Sequence, residues 1–163
     1  MRKPSNTTAL KFQRLLNQLG LTGEVVEFEE TTRSAADAAA AIGCEVGQIV
    51  KSLIFRAQPS GTAVLVLTSG ANRVDEARVG ALIGETLGKA DAEFVRAQTG
   101  YAIGGVPPFG YARLEHTFMD EDLMNYEELW AAAGTPNAVF PLKPEELLQQ
   151  ASAKVVRVAG EAR

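Results

Sequence analysis

The sequence predicts a single compact α/β domain of the α+β kind, with a mixed, mainly antiparallel sheet and helices around it. Three observations predict it. Gln58-Pro59-Ser60-Gly61 separates two apolar runs, residues 49–56 and 63–68, as a hairpin turn does. Capped helical patterns ending in glycine are interspersed among the strand-like runs instead of alternating regularly with them. No repeat, low-complexity tract or linker divides residues 1–163, a length that supports a substantial core.

Thr7 or Thr8 is placed to cap a first helix with Ala9, Phe12, Leu16 and Leu19 on one face, and Gly20 stops it. Residues 24–29 place Val25, Val26 and Phe28 in a strand-like pattern. Ser34 opens a Ser-x-x-Asp cap onto an alanine run ending at Gly43, so this helix needs close packing against a neighbour. In the strand 49–56, Ile49, Lys51, Leu53 and Phe55 share one face; Val50, Ser52, Ile54 and Arg56 share the other. Lys51 on the more apolar face either snorkels to the strand's edge or enters a cavity, where its charge must meet an anion or its pKa must fall. Residues 69–73 form a polar loop with Asn72 and Arg73. Asp75 then starts a helix to Gly84, and Asp91 caps another that ends at Gly100. Residues 112–119 read as a strand. Asp120, Glu121 and Asp122 suit the first turn of a short helix, where they complement its dipole. Residues 127–133 have helical composition, yet Gly134-Thr135-Pro136-Asn137 followed by 138–142 resembles a hairpin return. Pro144 opens a last helix, and Val155, Val156 and Val158 close the chain as a strand.

The densest punctuation lies in residues 100–111, with four of the fifteen glycines and two of the seven prolines. Gly104 and Gly105 admit positive φ or close approach, while Pro107 and Pro108 fix φ and remove two N–H donors. A stiff, bent loop follows. Such a loop serves either as a tight connection or as a backbone presented to a ligand oxygen.

Composition narrows the function. With 46% hydrophobic and 22% charged residues the chain reads as an ordinary soluble globular protein. No apolar run reaches membrane-spanning length, and no signal-type hydrophobic region follows Met-Arg-Lys-Pro-Ser-Asn. One cysteine, Cys44, excludes an internal disulfide and suits a reducing cytoplasm. A net charge of −4 argues against DNA or any general grip on phosphate backbones, so a nucleic-acid contact would be local and pocket-centred.

Three segments together carry a family resemblance: Ala38-Ala39-Ala40-Ala41-Ile42-Gly43 running into Gln48-Ile49-Val50-Lys51-Ser52-Leu53-Ile54-Phe55; Thr99-Gly100-Tyr101-Ala102-Ile103-Gly104-Gly105-Val106-Pro107-Pro108-Phe109-Gly110; and Met119-Asp120-Glu121-Asp122-Leu123 with the later Ala133-Gly134 and Pro144-Glu145-Glu146-Leu147-Leu148. In this order and spacing they resemble the YbaK/prolyl-tRNA-synthetase-associated domain, a family of aminoacyl-tRNA editing proteins. The resemblance implies a strongly curved, barrel-like mixed sheet. It also implies a free-standing deacylase that cleaves the ester joining a wrong amino acid to tRNA, commonly tRNA for proline. The partner is then the aminoacyl-tRNA acceptor end, with prolyl-tRNA synthetase as a second partner left open. Neither cofactor nor metal is implied. The family's reactive lysine falls on Lys51 and its glycine loop on Gly104 and Gly105. Ser52, Asn72, Pro107, Phe109, Gly110 and Tyr111 are the substrate-binding candidates. Members often carry histidine where this chain has Tyr111, which donates a hydrogen bond but does not accept a proton as imidazole does.

Other chemistries are weaker. His116 reads as a structural residue on a strand, and a Cys44–His116 nucleophilic pair lacks support from neighbouring segments. Lys51 could in principle form a Schiff base. The glycine loop lacks the Gly-Lys-Ser/Thr of a nucleotide loop. Trp130 and Tyr126 read as packing residues. A non-catalytic module binding an aminoacyl or nucleotide end, or a protein, in the same pocket remains the alternative class.

Overall fold

The computed structural model describes residues 1–30, 32 and 34–160. Helix α1 (Thr7–Gln18) is capped by Asn6, whose Oδ1 accepts from the N–H of Thr8 at 2.8 Å and of Ala9 at 3.4 Å. The threonines expected to cap it lie inside the first turn, because the stronger cap residue precedes them in extended backbone. Ala9, Phe12 and Leu16 are the buried face. The start of α1 is tied to strand β1 (Val26–Glu27) by a buried carboxylate: Glu27 accepts from the Ser5 N–H at 2.8 Å and the Asn6 N–H at 3.3 Å, with Arg2 at 3.7 Å. Burial works to raise the Glu27 pKa, but these donors and the Arg2 charge outweigh it and hold it below the usual value.

The remaining elements are α2 (Ala35–Ile42), β2 (Ile49–Gln58), β3 (Ala63–Ser69), α3 (Glu76–Ile83), β4 (Thr86–Lys89), α4 (Ala92–Thr99), β5 (His116–Asp120), β6 (Leu129–Ala132), β7 (Ala138–Leu142), α5 (Pro144–Ala151) and β8 (Lys154–Val156). Short 3₁₀ turns precede β2 (Val46–Gln48) and follow β5 (Glu121–Asn125). Side-chain caps from Ser34, Asp75 and Asp91 start α2, α3 and α4, and left-handed Gly43, Gly84 and Gly100 end them.

The strands form one mixed sheet in the order β1-β7-β6-β2-β3-β5-β8, with β4 alongside the far part of β2. The pairs β1·β7, β2·β3, β2·β4 and β6·β7 are antiparallel, and β2·β6, β3·β5 and β5·β8 are parallel. β3 is buried along its whole length because both its faces are covered. Leu65 and Leu67 join the main core with Phe12 and Leu16 of α1, Phe140 of β7 and Leu147 of α5. Val64 and Val66 join a second cluster with Val79 of α3, Phe118 and Val158. A third cluster sets Ala38 and Ala39 of α2 against Phe28, Ile49 and Val139, the close packing that the alanine run requires.

Several sequence expectations change. The strand expected over 24–29 pairs only at Val26–Glu27, and that over 112–119 only at His116–Asp120. Thr86–Lys89, read as no element, is strand β4, held by pairing with β2 and not by its own pattern. Residues 129–132 settle as strand β6: Leu129 and Ala131 are buried on alternate positions and pairing with β7 outweighs helical propensity.

Candidate functional site

β2 builds the site because its two edges are treated differently. One edge pairs with β3 from Val50 to Arg56 without interruption. The other pairs with β6 at Ile49 and Val50, and with β4 only from Phe55 onward. Over Lys51–Ile54 the two neighbouring strands part, and a cleft of about 820 Å³ opens there. α2, β6, the glycine loop and the β6–β7 turn wall it through Ala35, Ala38, Trp130, Ile103, Gly104 and Pro136. Lys51 is the single charged side chain among the described residues that line it.

The lysine lies in the cleft for a packing reason. Ile49, two residues before it, belongs to the cluster under α2, and Phe55 packs on the cluster under α3. Lys51 and Leu53 fall between the two clusters, where neither helix covers the sheet. The Lys51 ammonium donates to the Asn72 main-chain oxygen at 2.6 Å. Burial lowers its pKa and the Arg73 charge lowers it further, with Asp120 opposing.

Asn72 is itself fixed from behind. Its Nδ2 donates to Asp120 Oδ2 at 2.9 Å and to Asp122 Oδ2 at 2.7 Å. Asp120 is 1% exposed and also accepts from the Ser69 N–H at 3.0 Å. The carboxylate therefore clamps the 69–72 loop so that one carbonyl faces Lys51. Asp120 also starts the short 3₁₀ turn after β5, its Oδ1 accepting from the Asp122 N–H at 3.0 Å, so the clamp is added to the helix-start reading. No sequence signal links Asp120 to Lys51, since parallel pairing of β5 with β3 brings them together.

The glycine loop is anchored by its second half and presents its first half. Phe109 sits in the core, its ring 5.9 Å from both Phe12 and Phe140. The Tyr111 hydroxyl donates to the Pro107 carbonyl at 2.8 Å; burial and the neighbouring Tyr101 push its pKa well up, so it stays a donor. A Cβ on Gly110 would stand 2.8 Å from Leu15 of α1. Pro107, Phe109, Gly110 and Tyr111 thus hold the loop and do not line the cleft, so the histidine-to-tyrosine difference lies in a loop brace. Gly105 is buried against the Gly134–Thr135 turn, and its N–H donates to the Ala102 carbonyl at 3.0 Å. Gly104, at φ 93°, is exposed and lines the cleft.

Of the remaining candidates, Ser52 lines the cleft with its Oγ buried and unpartnered, and Asn72 stands behind Lys51. Cys44 packs beside α2, where burial raises its pKa, the reverse of an activated thiolate. His116 stacks on Phe118 with 6.3 Å between rings.

The sequence profile of the aminoacyl-tRNA editing domain matches residues 29–149, which spans the cleft from α2 to α5. The chain belongs to the aminoacyl-tRNA editing domain family. A solved structure described as a "putative trans-editing enzyme for prolyl tRNA synthetase" superposes on this editing domain with TM-score 0.89 and 44% identity, covering 97% of this chain and 100% of the other. "Uncharacterized protein YwhH" of Bacillus subtilis is 31% identical over 81% of this chain and 83% of its own. The "Putative Cys-tRNA(Pro)/Cys-tRNA(Cys) deacylase EbsC" of Enterococcus faecalis is 28% identical over 91% and 92%. The editing domain thus shares its fold with the solved structure over nearly its whole length. Among its described residues no helix is long and apolar enough to cross a membrane.

Proposed function

We propose that this editing domain is a deacylase that hydrolyses the ester of mischarged aminoacyl-tRNA, with tRNA for proline carrying a small wrong amino acid as substrate. The observation that carries the reading is Lys51, the one charged side chain among the described residues lining a cleft that Gly104 of a braced loop also lines. The names of the Enterococcus relative and of the solved trans-editing structure support the reaction class and the tRNA.

An aminoacyl ester is already activated, so water suffices as nucleophile and no serine or cysteine is needed. The Lys51 ammonium holds the terminal adenosine through its phosphate or ribose and orients the ester. The Gly104 N–H is the main-chain donor to the substrate carbonyl; one such donor is worth roughly 3 kcal/mol in the transition state. Gly105, with its N–H on Ala102, keeps the turn in shape. Water oxygen bonds to the carbonyl carbon, the carbon–oxygen bond to the ribose breaks, and the departing ribose oxygen takes a proton. The adjacent ribose hydroxyl orients the water, in keeping with a cleft that carries no carboxylate among its described lining residues. Prolyl-tRNA synthetase would be the natural source of the mischarged substrate.

The test is a deacylation time course on proline tRNA charged with alanine, serine, threonine, cysteine or proline, with Lys51→Ala beside the wild type. Release of one small amino acid, proline spared and Lys51→Ala inactive yet folded, is the expected result. Tight binding without release would instead establish a non-catalytic module.

A further inference from the structure

We propose that the open edge of β2 reads the base of the substrate's terminal nucleotide: the Ser52 carbonyl and the Ile54 N–H pair with the amino group and a ring nitrogen of adenine. This rests on reading the cleft as an aminoacyl-tRNA site, and it adds to that reading the part of the protein that recognises the base.

The geometry comes from the ladder. The Gly70 N–H donates to the Ile49 carbonyl and the Ala57 N–H to the Thr62 carbonyl, with constant register between them. Antiparallel pairing alternates, so Ile49, Lys51, Leu53, Phe55 and Ala57 direct their main-chain groups at β3. Val50, Ser52, Ile54 and Arg56 direct theirs at the opposite edge. Val50 meets β6 there and Arg56 meets β4. The Ser52 N–H and carbonyl and the Ile54 N–H face the place where the two strands have parted, and both residues line the cleft. Ser52 carries a third such group, its buried and unpartnered Oγ. Ser52 and Ile54 are half-buried, and polar groups withdrawn from bulk water are nearly always paired in native proteins, so this cluster points to a ligand with its own donors and acceptors.

The dimensions and chemistry select the ligand. From Lys51 to Ile54 the open edge runs only about 10 Å before strands close it at both ends, too short for an added peptide strand. A carbonyl and an N–H two residues apart on one strand edge match an amino group beside a ring acceptor, the pattern adenine presents. Trp130, Ile103, Val106 and Pro136 supply flat, apolar walls for the ring faces. Lys51 lies at one end of the same open stretch, so a phosphate or ribose held there fixes the direction in which the base lies. Hypoxanthine, with an oxygen and an N–H in reversed order, then sets carbonyl against carbonyl.

The experiment is amide NMR of the full-length protein titrated with adenosine 5′-monophosphate and, separately, inosine 5′-monophosphate. The expected result is saturable movement of the Ser52 and Ile54 amide resonances with the adenine nucleotide, and affinity lower by about tenfold or more for the hypoxanthine nucleotide. Equal affinity for the two, or shifts confined to the residues around Lys51, would overturn the proposal. Because no hydrolysis is involved, selective adenine binding by a protein that deacylates nothing would sustain base reading while removing the catalytic reading.

Discussion

Lys51 is set by burial, two charges and one carbonyl, and its tuning makes a prediction at the scale of single residues. Burial and Arg73 lower its pKa, and Asp120 raises it. If the Lys51 ammonium anchors substrate, activity falls on the alkaline side as that ammonium deprotonates, at a lower pH than for an ordinary lysine. Asp120→Asn removes the opposing charge, so the alkaline limb of the kcat/KM profile moves to still lower pH. A variant that loses thermal stability with the limb unmoved would assign Asp120 to loop structure alone. Ser52 and Lys51 also show what a strand pattern conceals. Adjacent residues on opposite faces both reach the cleft, because the cleft lies at the strand's edge and not over one face.

At the scale of elements, the glycine loop separates two roles that adjacent glycines in sequence cannot distinguish. A Cβ on Gly104 would meet nothing nearer than Pro136 at 3.9 Å, so its constraint is the positive φ. A Cβ on Gly105 would stand 2.8 Å from Thr135 Cα and 2.9 Å from the Gly134 carbonyl oxygen. Gly105→Ala is therefore expected to push the loop off the β6–β7 turn, with about 1–3 kcal/mol lost in urea unfolding and activity falling with it. Wild-type stability with lost activity would instead return Gly105 to direct substrate contact. The loop's other end is braced by Phe109 and Tyr111, which is why a tyrosine serves there: its hydroxyl reaches the Pro107 carbonyl.

At the scale of the whole molecule, a net charge of −4 leaves little general attraction for a tRNA body. Recognition concentrated on the acceptor end predicts a shallow salt dependence of binding, with log affinity falling by about one or two per tenfold rise in salt. Measurement of affinity for full tRNA and for an acceptor-stem fragment across salt concentrations checks this. A slope of about five or more would place many phosphate contacts outside the cleft. The cleft itself is a property of the assembled sheet: β6 arrives parallel from late in the chain, β4 arrives antiparallel from the middle, and neither reaches the centre of β2.

The sequence by itself determined the hairpin of β2 and β3, the helix ends at Gly43, Gly84 and Gly100, the bent loop, and Lys51 on an apolar face. Each follows from local chemistry: caps, glycine conformations, proline and strand alternation act within a few residues. Tertiary structure decided whatever depends on partners far apart along the chain. It chose strand over helix for Leu129–Ala132, made Thr86–Lys89 a strand, and buried Asp120 as the clamp behind Asn72. It also divided the loop into Gly104 at the cleft and Phe109, Gly110 and Tyr111 as its anchor. Hydrogen bonds and packing between distant segments outweigh local preference there, and one-dimensional spacing does not encode which segments meet.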